Sequence, residues 1–191
     1  MFYLTINHKY LAAPNDTYNQ ITGFKPGEAC AERDLVADLV EALAKYDIPL
    51  FLSINANGTS ANDYAARKFN YYDAVAQYVN DEFVEKWTAV IREYAVRYGE
   101  SIHGWLLSSA FDRLGFDGHD DDYFKAYHDA IKAGNKKALI AFNNGDIQVD
   151  YNNPEYKYLL GNLRHPNEKV IKLWDLSKAG NALALSAFER K

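Results

Sequence analysis

The chain has 191 residues, a length that suits one domain with a full core better than two domains. Hydrophobic residues make up 48%, charged residues 25%, and the formal net charge is −5. This acidic balance predicts no surface for nucleic acid or for an anionic membrane. No apolar run is long enough to span a bilayer, and the first residues lack the basic and apolar regions of a signal peptide.

The first part of the chain predicts alternating strands and helices. A β-prone run over residues 2–6 predicts a strand, and the polar, aperiodic residues 8–31 predict a long loop. Apolar residues recur on one face of a helix predicted over residues 32–46. The apolar run 48–54 predicts a buried strand, and residues 55–80 predict a second long loop.

The strongest helical pattern follows this second loop. Asp81 is its expected N-cap, and Gly99 is expected to end it. Residues 102–108 then predict a strand, 120–133 a helix and 138–142 a strand. The alternation predicts parallel β/α units in a single domain over residues 1–191. Because the strand-to-helix loops are the long ones, we expect a ligand site at the carboxyl ends of the strands.

Polar side chains gather at the first two predicted strand ends. His8, Lys9 and Tyr10 follow the first strand and are candidates for binding sugar hydroxyls, although exposed loop residues would give the same pattern. Asn55 follows the second strand, where a turn-forming asparagine is an equal alternative. The tyrosines concentrated in predicted turns either pack at loop bases or stack against sugar rings.

The later strand ends carry Ser108 and Asp112, and then Asn143 and Asn144. No GxSxG elbow surrounds Ser108, which argues against a triad serine. No metal-binding, dinucleotide-binding or phosphate-loop motif is present, so we expect no cofactor and no metal. Cys30 is the only cysteine, which excludes a disulfide within one chain and indicates no particular compartment.

Several sequence blocks occur in the order and spacing of a known barrel family. The first holds Ala-Pro-Asn at 13–15, Gly-Phe-Lys-Pro-Gly-Glu at 23–28 and Arg-Asp-Leu-Val at 33–36. The second, WTAVIREYAVRYGESIHGWLLSSAFD, is similar to a helix leading into a Gly-Trp-Trp-x-Asp-Gly strand, and GNKKALIAFNNG is similar to the next strand. Together these blocks, over residues 2 to about 146, resemble α-L-fucosidases of glycoside hydrolase family 29.

The resemblance implies a TIM-type (β/α) barrel with a carbohydrate site that includes Trp105. It also places Ser108 where such enzymes carry the nucleophilic aspartate of a retaining mechanism. A serine hydroxyl does not replace a carboxylate there without a base to activate it, and retaining hydrolysis needs two carboxyl groups. Asp112, in the next loop, is a candidate for a displaced nucleophile, and Glu155 is a candidate for the partner acid.

The resemblance leaves three functions open. The first is a carbohydrate-active protein of the α-L-fucosidase type that binds sugar without classical hydrolysis. The second is a structural or assembly protein that keeps only the scaffold, and the third is an active hydrolase with a relocated carboxylate. A complete barrel takes about 250 residues, so we expect an incomplete or shortened barrel that covers its open strand edge as a homo-oligomer.

Overall fold

The computed structural model describes residues 2–7, 9–71, 80–108, 120–143 and 159–161, and its strands form one sheet. The strands are β1 (Phe2–Thr5), β2 (Leu50–Asn55), β3 (Ile102–Ser108), β4 (Leu139–Asn143) and β5 (Leu159–Gly161). They lie side by side in chain order, and each adjacent pair is parallel. The predicted parallel arrangement of the first four strands is therefore confirmed, whereas β5 was not predicted.

Five α-helices connect or flank these strands within the described residues. They are α1 (Asp16–Thr22), α2 (Leu35–Ala44), α3 (Asp63–Lys68), α4 (Asp81–Tyr98) and α5 (Asp120–Lys132). Helices α2, α4 and α5 match the predicted helices, but α1 and α3 lie where long loops were expected. None of the described helices is both long and apolar enough to cross a membrane.

The caps explain where the unpredicted helices begin. The Asn15 side chain accepts a hydrogen bond from the Tyr18 N–H and starts α1, and the Asn62 side chain starts α3 in the same way. Helix α4 is capped by Asn80, which accepts from the Phe83 N–H. The predicted cap, Asp81, is instead the first residue of the helix, where its negative charge suits the helix dipole.

The two faces of the sheet have different surroundings. Residues of one face lie in the buried core with residues of α4 and α5; they include Leu52, Ile54, Trp105, Leu107 and Ile140. Because side chains alternate along a strand, the residues between them point to the other face, which we call the site face. On β2 and β3 the site face consists of Phe51, Ser53, Asn55, Gly104, Leu106 and Ser108, and these pair in register across the ladder.

The loop after β1 is fastened to α4 by a group of side chains. The Glu93 carboxylate accepts hydrogen bonds from the backbone N–H groups of Asp16 at 2.9 Å and Thr17 at 2.7 Å. The Tyr94 hydroxyl donates to the Ala13 carbonyl at 2.7 Å. Asn15 also donates from its side chain to the Val90 carbonyl at 3.2 Å. The Ala-Pro-Asn block of residues 13–15 therefore has a structural role in this chain.

Candidate functional site

Asn55 and Ser108 form the last residue pair of the β2–β3 ladder. The Ser108 hydroxyl donates a hydrogen bond to Asn55 Oδ1. Both residues are partly exposed, whereas Ile54 and Leu107, one position earlier on each strand, are fully buried. The pair thus marks the point where the sheet meets its carboxyl-end surface.

Asn7 ties the first two strand ends together. Its side chain is 2% exposed and makes two hydrogen bonds: Oδ1 accepts from the Asn55 N–H at 2.7 Å, and Nδ2 donates to the Gly58 carbonyl at 2.8 Å. A single side chain therefore satisfies a donor of β2 and an acceptor of the following turn. This arrangement fixes the backbone that presents Asn55.

Helix α4 supports the same backbone from the core side. The Trp87 indole N–H donates to the Asn55 carbonyl at 2.8 Å, and the Ala56 N–H donates to the Ser108 carbonyl at 2.8 Å. In the sequence, Trp87 is one of the apolar residues of the helix predicted after the second long loop. The signal for its second role is chemical, since a buried indole N–H needs an acceptor.

The surroundings of Ser108 do not suit a nucleophile. Among the described side chains, Asn55 is the hydrogen-bond partner of the Ser108 hydroxyl, and no histidine or carboxylate in the described ranges bonds to it. A neutral amide oxygen does not take a proton from an alcohol, so the described arrangement contains no activating base. Its chemistry is hydrogen bonding.

Lys9 and Tyr10 lie in the loop that follows β1. The Tyr10 side chain is 55% exposed, and Lys9 Nζ lies 5.8 Å from the centroid of its ring. An exposed aromatic face beside an ammonium group suits a sugar ring with its hydroxyls. These two residues therefore remain candidates for the rim of the site.

The structure places Trp105 in the core and not in the site. Its side chain is 2% exposed and belongs to the buried cluster on the helix-covered face of the sheet. Ser108 is three positions further along β3 and therefore points to the opposite face. The predicted sugar contact by Trp105 is therefore corrected, because its ring lies in the buried core.

The structure describes only the backbone of one of the other predicted site residues. Asn143 is the last residue of β4, next to the end of β3, and its side chain is not described. His8, Asp112, Asn144 and Glu155 lie outside the described residues. Their assignment to the site stays a prediction.

The tyrosines of the predicted turns divide into two groups. Tyr18 and Tyr71 are fully buried, which supports packing at loop bases. The Tyr18 hydroxyl lies 2.9 Å from Thr59 Oγ1, and burial raises the pKa of Tyr18 to about 12. Tyr10 is exposed, so the prediction of stacking on a sugar stays with this residue and not with the two buried ones.

Cys30 is also a core residue. It is 3% exposed, and its Sγ lies 3.6 Å from Asn19 Oδ1. Burial raises the pKa of the thiol to about 11, which opposes formation of the reactive thiolate. Within the described ranges, no group of three or more histidine, cysteine or acidic side chains is placed to hold a metal ion.

A surface groove of about 680 Å³ lies elsewhere, between α2 and α4. It reaches Ser101, which directly precedes the amino end of β3, and its lining includes Val40 and Tyr98. Ligands of parallel β/α folds bind at the carboxyl ends of the strands. We therefore place the candidate site at Asn55 and Ser108 and not in this groove.

No protein-family model matches the sequence, and a search of curated proteins finds no match either. Solved structures do match. The endo-fucoidan hydrolase MfFcnA4 from glycoside hydrolase family 107 gives a TM-score of 0.59 at 19% identity, over 75% of this chain and 27% of that one. An α-L-fucosidase of family 29 from Bacteroides thetaiotaomicron gives 0.51 at 13% identity, over 73% and 30%.

A third matching structure belongs to another family of sugar hydrolases. A family 20 module of the pneumococcal exo-β-D-N-acetylglucosaminidase StrH gives a TM-score of 0.51 at 15% identity, over 83% of this chain and 50% of that one. The chain has a glycoside-hydrolase-like fold. At such identities the similarity concerns the fold alone, and the chain spans 27% to 50% of the three structures named above.

Proposed function

We propose that the chain binds carbohydrate at the carboxyl ends of β1 to β4, as a fucosidase-like member of the glycoside hydrolase folds with a TIM-type barrel architecture. The observation that supports this most directly is the Asn55–Ser108 pair. It occupies the strand end at which the family 29 resemblance places a catalytic carboxylate, and it offers neutral hydrogen-bonding groups there. Structural neighbours that act on fucoidan or carry fucosidase names support a fucose-type sugar as the first candidate.

Hydrolysis is not part of this proposal. A retaining glycosidase needs an anionic nucleophile to form the glycosyl ester and to stabilise the oxocarbenium-like transition state. The hydroxyl of Ser108 is uncharged, and its proton is directed to an amide oxygen. The loss of such a charge is expected to slow turnover by about 10³-fold or more.

The remaining assignments extend the site around this pair. Lys9 and Tyr10, together with His8, supply the rim next to β1, and Asn143 with Asn144 supplies the side next to β4. The active alternative assigns the nucleophile to Asp112 and the acid to Glu155. It keeps the same sugar site but needs two carboxyl groups about 5 Å apart.

One observation favours the structural alternative. The two hydrogen bonds of the Asn7 side chain, and those that the Asn55 backbone makes with Asn7, Trp87 and Gly58, serve to hold the strand ends, as in a scaffold. In the described part of the chain β1 has one strand neighbour, β2. A second copy that pairs along the other edge of β1 would cover it. We include a homo-oligomer in the proposal, and sedimentation at micromolar concentration tests it.

The test of the proposed function combines binding with turnover. The purified chain is titrated with methyl α-L-fucopyranoside and other methyl pyranosides by NMR, and it is assayed on an aryl α-L-fucoside. We expect saturable binding to at least one sugar and almost no hydrolysis. Absence of binding to every sugar supports the structural alternative. Turnover near 1 s⁻¹ that survives Ser108→Ala supports the relocated carboxylate, with Asp112→Asn as the next variant.

A further inference from the structure

We propose that Asn55 and Ser108 act together as a two-point fork that binds one pair of adjacent hydroxyls on the sugar. The inference rests on the proposed carbohydrate function and specifies which groups of the sugar the site recognises. The two side chains are hydrogen-bonded to each other, and this bond leaves donors and acceptors of both side chains unused.

The bond between the two residues uses one donor and one acceptor. Ser108 contributes its O–H and Asn55 contributes Oδ1. The Asn55 amide nitrogen keeps its donors, because the hydrogen bonds that Asn55 makes with described residues use its N–H, its carbonyl and Oδ1. The Ser108 oxygen keeps its acceptor capacity. The pair therefore presents one donor group and one acceptor side by side.

This result does not depend on the orientation of the amide. If the Asn55 amide is rotated by half a turn, Nδ2 donates to Ser108 Oγ. The serine O–H and Asn55 Oδ1 then face outward. Either arrangement again offers one donor and one acceptor. A sugar hydroxyl both donates and accepts, so two adjacent hydroxyls complement the pair in both orientations.

The fork is held rigid by its backbone. The Asn55 N–H and carbonyl are bound by Asn7 and Trp87, and the Ser108 carbonyl is bound by the Ala56 N–H. The two side chains occupy paired positions on neighbouring strands, which lie about 4.8 Å apart. Adjacent gauche hydroxyls on a pyranose stand about one hydrogen-bond length apart, a separation that the bonded side-chain ends of the fork also have.

The chemistry of the fork favours a neutral diol over an anion. Neither residue carries a charge to pair with a carboxylate or sulfate, and such an anion has only acceptors, so it leaves the acceptor of the fork without a donor. A hydroxyl pair bonds each group separately, whereas a single hydroxyl reaches both only with bent, weak geometry and in effect leaves one of them unpaired. Because an unpaired polar group in a bound complex weakens binding, the fork discriminates by hydroxyl position.

The experiment uses a sugar that the full-length chain is found to bind, with methyl α-L-fucopyranoside as the first probe, and its 2-, 3- and 4-deoxy derivatives. The 3-deoxy sugar has no adjacent hydroxyl pair on this ring, whereas the 2-deoxy and 4-deoxy sugars each keep one. We expect Kd to rise roughly 3- to 10-fold for the 3-deoxy sugar. One of the other two is expected to bind nearly as well as the parent sugar.

Variants connect this preference to the fork. Ser108→Ala is expected to bind the parent sugar roughly 3- to 10-fold more weakly and to bind the parent and 3-deoxy sugars almost equally. Ser108→Thr, which keeps the hydroxyl, is expected to retain the preference. Ser101→Ala, at the opposite end of β3, is the matched control and is expected to behave as the unmodified chain. Thermal unfolding of each variant verifies that it is folded.

The outcomes separate this inference from the proposed function. If the chain binds the sugar but the deoxy preference survives Ser108→Ala, the fork is wrong and the carbohydrate function stands. Equal affinity for the parent and 3-deoxy sugars in the unmodified chain also overturns the fork. If no methyl pyranoside binds, the proposed function and the fork are both wrong.

Discussion

Gly104 on β3 lies against the ring of Phe51 on β2, so closely that a β-carbon at position 104 would stand 2.2 Å from Phe51 Cε1. The two residues are paired in the β2–β3 ladder, and the carbonyl of Leu139 on β4 closes the third side at 3.1 Å. A glycine at this position thus makes room for an aromatic ring on the site face.

Gly104→Ala is expected to destabilise the fold. The added methyl must displace the Phe51 ring, and overpacking of this kind costs about 1 to 3 kcal/mol. Urea denaturation measures the change in the free energy of unfolding. The double variant Phe51→Leu with Gly104→Ala is expected to be less destabilised than the sum of the two single variants. Strict additivity would show that the two residues do not compete for the same space.

Asn7→Ala is expected to lower the free energy of unfolding by about 2 to 4 kcal/mol. The substitution leaves the Asn55 N–H and the Gly58 carbonyl without their partner, and each unsatisfied buried group costs about 1 to 3 kcal/mol. Gln20→Ala removes an exposed amide from α1 and serves as the control, with a change within about 0.5 kcal/mol. Similar losses in the free energy of unfolding for both substitutions would show that the hydrogen bonds of Asn7 do not stabilise the strand ends.

Glu93→Gln tests how the loop after β1 is fastened to α4. The variant keeps the shape of the side chain but loses the negative charge of the carboxylate. This carboxylate accepts hydrogen bonds from two backbone N–H groups at the start of α1. We expect a loss of about 1 kcal/mol. Glu85→Gln, an exposed glutamate on the same helix, is the matched control and is expected to change stability very little. An equal loss in both variants would indicate a general effect of net charge.

Stability is expected to fall in alkaline solution in part because of Cys30. Burial raises the pKa of its thiol from 9.0 to about 11, so the folded state holds the proton while the unfolded chain releases it. The contribution is fully present below pH 9 and is lost as the pH rises through about 11, at up to about 1.4 kcal/mol per pH unit.

Cys30→Ser removes this titration and keeps a hydrogen-bond donor of similar size. Urea midpoints at about pH 8 and about pH 10.5 are compared for the two proteins. The serine variant is expected to lose less stability over this interval. Parallel losses in both proteins would assign the alkaline effect to other groups, with Tyr18 the first candidate because burial raises its pKa to about 12.

Secondary-structure elements with a clear hydrophobic pattern could be predicted from the sequence, whereas elements that depend on tertiary contacts could not. Strand β2 and helix α4 are long apolar patterns, and they occur where they were predicted. Helix α1 has seven residues, and its first turn is satisfied by Glu93, which lies more than seventy positions away in the chain. Strand β5 has three residues, too few for a detectable alternation.

The site was predictable in part for the same reason. Asn55 and Ser108 were found because polar residues that follow apolar strands are visible in sequence. The hydrogen bond between them and the two hydrogen bonds of Asn7 depend on the register of the strands, which is not visible in the sequence. The error on Trp105 was avoidable, because its parity relative to Ser108 already places the two side chains on opposite faces of β3.

The hydrogen bonds that join the strand ends also have a consequence for the order of folding. Asn7 binds partners 48 and 51 positions along the chain, and Ser108 binds Asn55 across 53 positions. Contacts of such sequence separation require long loops to close before they form, and parallel pairing adds a full crossover each time. The two hydrogen bonds of Asn7 therefore belong to late steps of folding, and Asn7→Ala should accelerate unfolding far more than it slows folding.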